Sequence, residues 1–390
     1  MRPARRVTNL PPYPFAALER TIADMVAQGR KVIRIDIGSP DLPPSEAIIK
    51  VCQEQAARPD RHGYGGYFGT PAFRSAVASY YRSRFGVEID PKTEVISLLG
   101  SKEGIANMAF AWLDEGDIAL VPDPGYPTYS MGPLMAGASY WRMPLLESNS
   151  FLPDLSAIPG EVLAKARLMW LNYPNNPTGA IAPEGFLRQA VEFCREHDIL
   201  LCFDAPYCDN TYDGYVAPSI LQVPGAKDVA IEFNSLSKSH NLAGWRAAMA
   251  VGNPVAIKAL GLVKSNIDSG IALPIQQMVI EALTGDQTWL QARNAVYKER
   301  RDAVVDALQA MGLQAARPKG AIYVWTPVPA GWKSVDFATA LLEEAGVSIA
   351  PGAMFGEHGE GYARISLVQP LPVMQEAMQR WAEWWSSKPH

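Results

Sequence analysis

Seven short apolar runs recur through the middle of this chain: VISLL (95–99), DIALV (117–121), SYWRM (139–143), LMWL (168–171), ILLCF (199–203), VAIEF (229–233) and AAMAV (247–251). Short, nearly unbroken apolar runs suit strands that are covered on both faces, as in a largely parallel sheet. Helical patterns lie between several of them, in EGIANMAFAWL, YSMGPLMAG and EGFLRQAVEFCREH. Strands alternating with helices in this way argue for an α/β sandwich over about residues 46–284. The pattern then changes. A long amphipathic helix is expected over roughly 287–311, then short strands at AIYVW (321–325), VSIA (347–350) and YARISL (362–367), with a helix between them and another at the end. This mixture predicts a smaller α+β unit from 285 to 390. The proline-punctuated residues 1–45, with a short strand from Val32 to Ile37, form an arm and join that unit.

Several function classes are disfavoured at once. A formal net charge of −5 offers no basic stripe for nucleic acid. No apolar stretch approaches the roughly 18 residues of a membrane span. Arg2, Arg5 and Arg6 are not followed by the apolar segment of a signal peptide. Cys52, Cys194, Cys202 and Cys208 show neither CxxC spacing nor disulfide-scaffold density, and the five histidines form no HxH or HExxH pattern. A cytoplasmic protein without a metal site is expected.

In open α/β sheets, ligands bind beyond the carboxyl ends of the strands. Asp204-Ala-Pro-Tyr207 follows ILLCF. Asn172 to Gly179 follows LMWL, and Asn234, Ser235, Ser237 and Lys238 follow VAIEF. Gly100-Ser101-Lys102-Glu103 follows VISLL, and the segment reaching Tyr126 follows DIALV. Taken singly, each has an ordinary explanation: a carboxylate after a strand caps a helix, NPTG makes a turn, and Ser101 caps the helix it opens.

Together they have one chemical logic. A helix N-terminus at Ser101, the hydroxyls of Ser235 and Ser237 and the guanidinium of Arg246 suit a phosphate. Tyr126 offers a stacking face, and Asp204 an anion for a protonated ring nitrogen. Tyr207 and Asn176 are placed to bond a ring hydroxyl, and a desolvated Lys238 is the amine for an aldehyde. Pyridoxal 5′-phosphate uses all of these groups. Two rival motifs fail. Ser235-Leu-Ser-Lys238 reads as SxxK but has no SDN or KTG partner, and GYGGYFG (63–69) has no surrounding βαβ fingerprint.

With Asp204-x-x-Tyr207, NNPTG (175–179), SLSK (235–238) and Arg246 in order, the chain resembles the class I/II aminotransferases of fold type I over nearly its whole length. It is most similar to their LL-diaminopimelate aminotransferase group, through LPPYPFA (10–16), IGSPDLP (37–43), GSKEGIAN (100–107), PDPGYPTY (122–129), LNYPNNPTGA (171–180), GWRAAMAVGN (244–253) and KSNIDSG (264–270).

The resemblance implies a three-layer α/β/α domain with a mainly parallel seven-stranded sheet, a smaller α+β domain, and a homodimer with shared active sites. It implies that Lys238 bonds the cofactor's aldehyde carbon, Asp204 pairs with the ring nitrogen, and Tyr207 and Asn176 hold the phenolic oxygen. Tyr126 stacks on the ring, and Ser101, Lys102, Ser235, Ser237 and Arg246 surround the phosphate. Tyr64 reaches the neighbouring subunit's phosphate, Asn266 crosses the interface, Arg364 clamps the substrate α-carboxylate, and Tyr13 and Gly38 line the substrate pocket. From pattern alone, the favoured reading of Arg364 is an exposed-strand arginine paired with a surface acid.

Two departures, Ser239-His240 for a more usual Thr-Tyr pair and Gly65-Gly66 after Tyr64, lie beside the pocket. The implied activity is transfer of an amino group between an amino acid and a 2-oxo acid. Aspartate-, alanine- or aromatic-type transamination and β-elimination are the alternatives on the same fold. An aminotransferase-like regulator would need a DNA-binding domain before PPYP, where only about a dozen residues stand against the ~50 of a small domain.

Overall fold

Each of the seven apolar runs forms a strand, and the seven make one sheet. In spatial order they are Val95–Leu98, Ala248–Gly252, Ala230–Ser235, Leu200–Asp204, Ala166–Asn172, Ile118–Asp123 and Ser139–Pro144. Ala248–Gly252 runs antiparallel to both its neighbours, and the other pairings are parallel. The structure is a computed structural model and describes residues 1–8, 10–12 and 14–388.

Strand alternation divides the apolar side chains between two helical layers. Leu201 and Phe203 pack in one core with Phe73, Val77, Phe186, Leu187 and Met278. Leu200 and Cys202 face the other way, into a core with Ile105, Met108, Ile257 and Leu260. Each fully buried side chain of this kind contributes about 1.5–3 kcal/mol, which explains why the runs are apolar on both faces. The edge strand Ser139–Pro144 departs from this, with Ser139 and Arg142 exposed, and VAIEF carries a buried charge in Glu232. Glu232 accepts from Tyr81 Oη (2.7 Å), Ser219 Oγ (2.6 Å) and the Ile220 N–H (3.0 Å), and burial pushes its carboxyl up to about 7.

A further core gathers Ile33 and Ile35 with Tyr297, Val304 and Leu308 of the helix Trp289–Ala310, and with Val324, Ile365 and Trp381. Around it, Ala350–Pro351, Tyr362–Ser366 and Tyr323–Pro327 form a three-stranded antiparallel sheet. Ile33–Arg34 pairs in parallel with Val347–Ser348. The expected strand from Val32 to Ile37 is therefore shorter than its apolar pattern. Beyond Ile35 its carbonyls leave the ladder: Asp36 O accepts from Arg364 and Gly38 O from Lys238. VSIA likewise splits, with Val347–Ser348 in one sheet and Ala350–Pro351 in the other. Among the described residues, no helix is long and apolar enough to cross a membrane.

Candidate active site

The parallel strands end at one edge of the large sheet, where Asn172 and Asp204 are neighbours in register. A cavity of about 450 Å3 opens there, and the smaller sheet closes it through Tyr323 and Arg364. Two short helices begin at its cationic end. Ser101–Trp112 starts after Gly100, whose φ of 83° is a backbone state that disfavours a side chain. A Cβ at Gly100 would also overlap the Arg246 guanidinium. Ser101 is thus the first helical residue, and no side chain caps this helix.

Arg246 donates to the carbonyls of Ala243 (2.8 Å) and Leu99 (3.4 Å) and has no ion pair among the described residues. Burial, reinforced by the like charge of Arg246, lowers the Lys102 ammonium below its usual value. At the same end, Ser235 Oγ caps the one-turn helix Leu236–Ser239 by accepting the Ser237 N–H at 3.2 Å. Two cations held close together beside a helix N-terminus and three serines make a site for a dianion.

Asp204 lies on the floor of the cavity. Its position in the strand alternation puts it on the Leu200/Cys202 side, where Tyr129 stacks on Trp170 at 5.1 Å and 15°. Tyr129 Oη donates to Asp204 Oδ2 at 2.6 Å, and Asn172 Nδ2 donates to the Asp204 carbonyl at 2.7 Å. The other oxygen, Oδ1, is buried and has no partner among the described residues. Desolvation pushes the carboxyl up to about 7 against the lowering effect of the Tyr129 bond. An orphaned carboxylate oxygen of this kind suits a protonated ring nitrogen, which would restore the anion. Tyr126 meets Tyr129 edge-on at 5.7 Å and lines the same wall.

Lys238 reaches across to donate to the carbonyl of Gly38. Burial, followed by the charges of Arg364 and Arg246, brings its amine down to about 8. A Cβ at Gly38 would overlap the Tyr323 hydroxyl, so this close approach requires glycine. Tyr323 Oη lies 2.9 Å from Tyr207 Oη. Arg364 is buried rather than strand-exposed. It donates to Asn176 Oδ1 (2.9 Å) and the Asp36 carbonyl (2.6 Å), and packs over Tyr323 (4.3 Å) and Phe355 (4.7 Å). Its Nε–H has no partner among the described residues. The reading of Arg364 as a strand arginine on a surface acid is thereby corrected.

Ser101, Lys102, Tyr126, Asn176, Asp204, Tyr207, Ser235, Ser237, Lys238, Arg246, Gly38 and Arg364 therefore line one cavity. Tyr64, 89% exposed, and Asn266, bonded to the Leu262 carbonyl at 2.9 Å, lie outside it on the surface of this chain. Tyr13 lies outside the described residues. Sequence reasoning missed Tyr129 and Tyr323, and placed Asn172 after its strand without giving it a role. Tyr129 and Asn172 stood inside the quoted stretches PDPGYPTY and LNYPNNPTGA. Nothing in the sequence linked Tyr323 to Gly38. The cavity's contents (a dianion site, an orphaned buried carboxylate oxygen, aromatic walls and an amine of lowered pKa) match the phosphate, ring nitrogen, ring face and aldehyde of pyridoxal 5′-phosphate.

Comparison with known proteins agrees with this chemistry. The chain is 50% identical over 377 residues to the LL-diaminopimelate aminotransferase of Desulforudis audaxviator, covering 97% of this chain and 96% of that one. It is 49% identical over 380 residues to the LL-diaminopimelate aminotransferase of Moorella thermoacetica, covering 97% of both. The substrate-bound BacF structure from Bacillus subtilis matches with a TM-score of 0.95 at 37% identity, over 98% of each chain. Residues 30–380 match the family described as Aminotransferase class I and II. The chain belongs to that family, the pyridoxal-phosphate-dependent enzymes that transfer an amino group between an amino acid and a 2-oxo acid.

Proposed function

We propose that this aminotransferase takes LL-diaminopimelate as amino donor and 2-oxoglutarate as acceptor, with Lys238 as the residue that holds the cofactor covalently. The observation that carries the site assignment is one cavity holding both a buried amine lowered to about 8 and a buried carboxylate with an unpartnered oxygen. The donor assignment is supported by 50% and 49% identity, end to end, to proteins named for that substrate.

Ser101, Lys102, Ser235, Ser237 and Arg246 would hold the cofactor's phosphate, Tyr126 its ring face, Asp204 its ring nitrogen, and Tyr207 with Asn176 its phenolic oxygen. When bound, the cofactor supplies an electron-poor ring that accepts the electron pair of the broken Cα–H bond. Two of Arg364's five N–H groups are committed to Asn176 and Asp36, so three remain for a substrate α-carboxylate. Phe355 and Tyr323 pack on that guanidinium and keep water from it. A lysine with its pKa near 8 is partly uncharged at neutral pH. Lys238 Nζ thus takes the Cα proton as a general base and returns it as a general acid. In the same reading, residues 46–284 carry the cofactor, while 1–45 and 285–390 form the smaller unit that brings Arg364.

The working form in this proposal is a homodimer. Val255 and Leu262, spaced seven apart on the helix Pro254–Lys264, are 64% and 69% exposed on one face. Asn266 follows at the end of that helix. A second copy covering this face would bring Tyr64 and Asn266 to the partner's site. A cytoplasmic location is supported by Cys52, Cys194, Cys202 and Cys208, which are all buried free thiols.

The test is a donor panel with 2-oxoglutarate, comprising LL-diaminopimelate, aspartate, alanine and aromatic amino acids, read as glutamate formed. Diaminopimelate should be used best. Glutamate from aspartate but none from diaminopimelate would overturn the donor assignment. Pyruvate and ammonia released from a cysteine conjugate without any oxo acid would favour β-elimination. Sedimentation of wild type against Leu262→Glu tests the dimer.

A further inference from the structure

We infer that Arg293 is a positioning residue for Lys238, holding the lysine's own peptide in register with the Asp204–Tyr207 segment, and that Ser239 and His240 seal this joint. The inference rests on the proposed role of Lys238.

Lys238 sits on the helix Leu236–Ser239, a single turn. So short a helix leaves most of its carbonyls without helical partners. The Leu236 carbonyl accepts from the N–H groups of His240 (3.1 Å) and Leu242 (3.0 Å), and the Ser235 carbonyl accepts from Ser239 Oγ (3.0 Å). The carbonyls of Lys238 and Ser239 are taken by a residue 55 positions away in the chain. Arg293 Nη1 donates to Lys238 O at 3.3 Å and also to Ser239 O.

The other terminal nitrogen, Nη2, donates to the carbonyl of Asp209 at 2.6 Å. Asp209 follows Tyr207 by two residues. One guanidinium therefore ties the peptide of the amine to the loop that carries the carboxylate and Tyr207. Asn294 completes the grip. Its Oδ1 accepts from Arg293 Nε (3.2 Å) and Nη2 (2.7 Å), and its Nδ2 donates to the same Asp209 carbonyl at 2.9 Å. Arg293 is 4% exposed and makes no ion pair among the described residues. A buried cation is costly, and here backbone carbonyls and one amide answer it. A neutral side chain could satisfy those acceptors one at a time, but only a planar fork with five donors joins them in one rigid unit.

Ser239 and His240 follow from this arrangement. The Nδ2-equivalent of Gln287, its Nε2, is committed to the carbonyls of Ala282 (2.9 Å) and Gly285 (3.0 Å), so its Oε1 faces His240 Nε2 at 3.2 Å. That ring nitrogen must carry the proton, which leaves Nδ1 bare, and the single O–H of Ser239 is shared between Nδ1 at 2.9 Å and the Ser235 carbonyl at 3.0 Å. The imidazole meets Trp289 edge-on at 5.9 Å, and the Arg293 guanidinium lies over the same indole at 5.8 Å. An uncharged ring is what the neighbouring guanidinium permits. Asp209, itself paired with Arg84, is the acid facing it. The Ser-His pair thus fills the corner between the helices Leu273–Thr284 and Trp289–Ala310 with neutral groups.

The experiment compares Arg293→Met, Arg293→Lys and Asn294→Ala with the wild-type holoenzyme. For each, kcat and KM are measured together with the pH midpoint of the cofactor's visible absorption and the rate at which cofactor-free protein captures pyridoxal phosphate. Arg293→Met should lower kcat by about 10²-fold, the scale of a misplacement of about 1 Å, with KM changed far less. Its capture rate should fall and its absorption midpoint should move. Arg293→Lys should recover part of each effect, and Asn294→Ala should give a smaller change of the same sign. Wild-type kcat, capture rate and midpoint in Arg293→Met, even with a lowered melting temperature, would overturn the inference. If Arg293→Met does not fold, Asn294→Ala decides: unchanged values there overturn it. Lys238→Ala separates the two readings. If that variant keeps a borohydride-reducible cofactor band, the assignment of Lys238 falls whatever Arg293 does.

Discussion

The Tyr129 hydroxyl lies 2.6 Å from Asp204 Oδ2 and leaves Oδ1 of the same carboxylate buried without a partner among the described residues. One oxygen is held in place and the other is presented to the cavity. Without a positive partner the carboxyl is pushed up to about 7, so the site is built for an ion that answers it.

Asp204→Asn keeps the volume and the phosphate groups but removes the charge. We expect it to retain cofactor and lose about 10²–10³-fold in kcat, the usual range for removing one preorganised electrostatic partner. Tyr129→Phe leaves the carboxylate in place without its donor and should cost about tenfold. Steady-state kinetics check both, and an unchanged kcat in Asp204→Asn would remove Asp204 from its role.

Lys238 is depressed to about 8 by burial first and then by Arg364 and Arg246. Only the uncharged amine attacks an aldehyde, so cofactor capture by the stripped protein should accelerate as pH rises, with a midpoint near 8. Arg364→Gln removes a like charge, and the midpoint should rise toward the ordinary lysine value. Stopped-flow absorbance against pH measures this. A midpoint that stays put or falls would contradict the electrostatic account.

Gly38 passes so close to Tyr323 that any Cβ overlaps the hydroxyl. Gly38→Ala should therefore destabilise by about 1–3 kcal/mol, as overpacking does, and slow cofactor capture by moving the carbonyl that Lys238 donates to. Combining it with Tyr323→Phe removes the nearest atom and should return part of both losses. Thermal melts and capture rates of the single and double variants test the coupling.

His240 is held down to about 4 from an ordinary 6.5, chiefly by burial. A depressed base contributes stability that is present above its unfolded pKa of 6.5 and is lost as pH falls through about 4. The part due to His240 is about 3 kcal/mol at 1.36 kcal/mol per unit. His240→Gln removes the titration, so its unfolding free energy should fall less steeply between pH 6.5 and 4 than that of wild type. Chemical denaturation across that window gives the slope difference, and parallel slopes would refute the assignment.

Six of the seven strands were legible because a strand buried on both faces must be largely apolar, and that pattern survives in one dimension; Ser139–Pro144, at the sheet edge, is partly exposed. Their order was not legible, since pairing depends on crossovers rather than on composition. Strand ends were read well where turn chemistry followed, as at Asp204 and Asn172. They were read too long at Val32–Ile37, where Arg364 takes the Asp36 carbonyl that a ladder would have used.

Motif and spacing alone determined the cofactor chemistry here: an amine, an acid and a set of phosphate donors, each following a strand. The contacts that hold those groups came only from the tertiary structure. Tyr129 on Asp204, Gly38 under Tyr323 and Arg293 on the peptide of Lys238 join residues 75, 285 and 55 positions apart. The physical reason is that a hydrogen bond or a steric limit is a relation between two positions in space. A buried donor takes whichever carbonyl the packing brings within about 3 Å, and nothing local to either residue records which one that is.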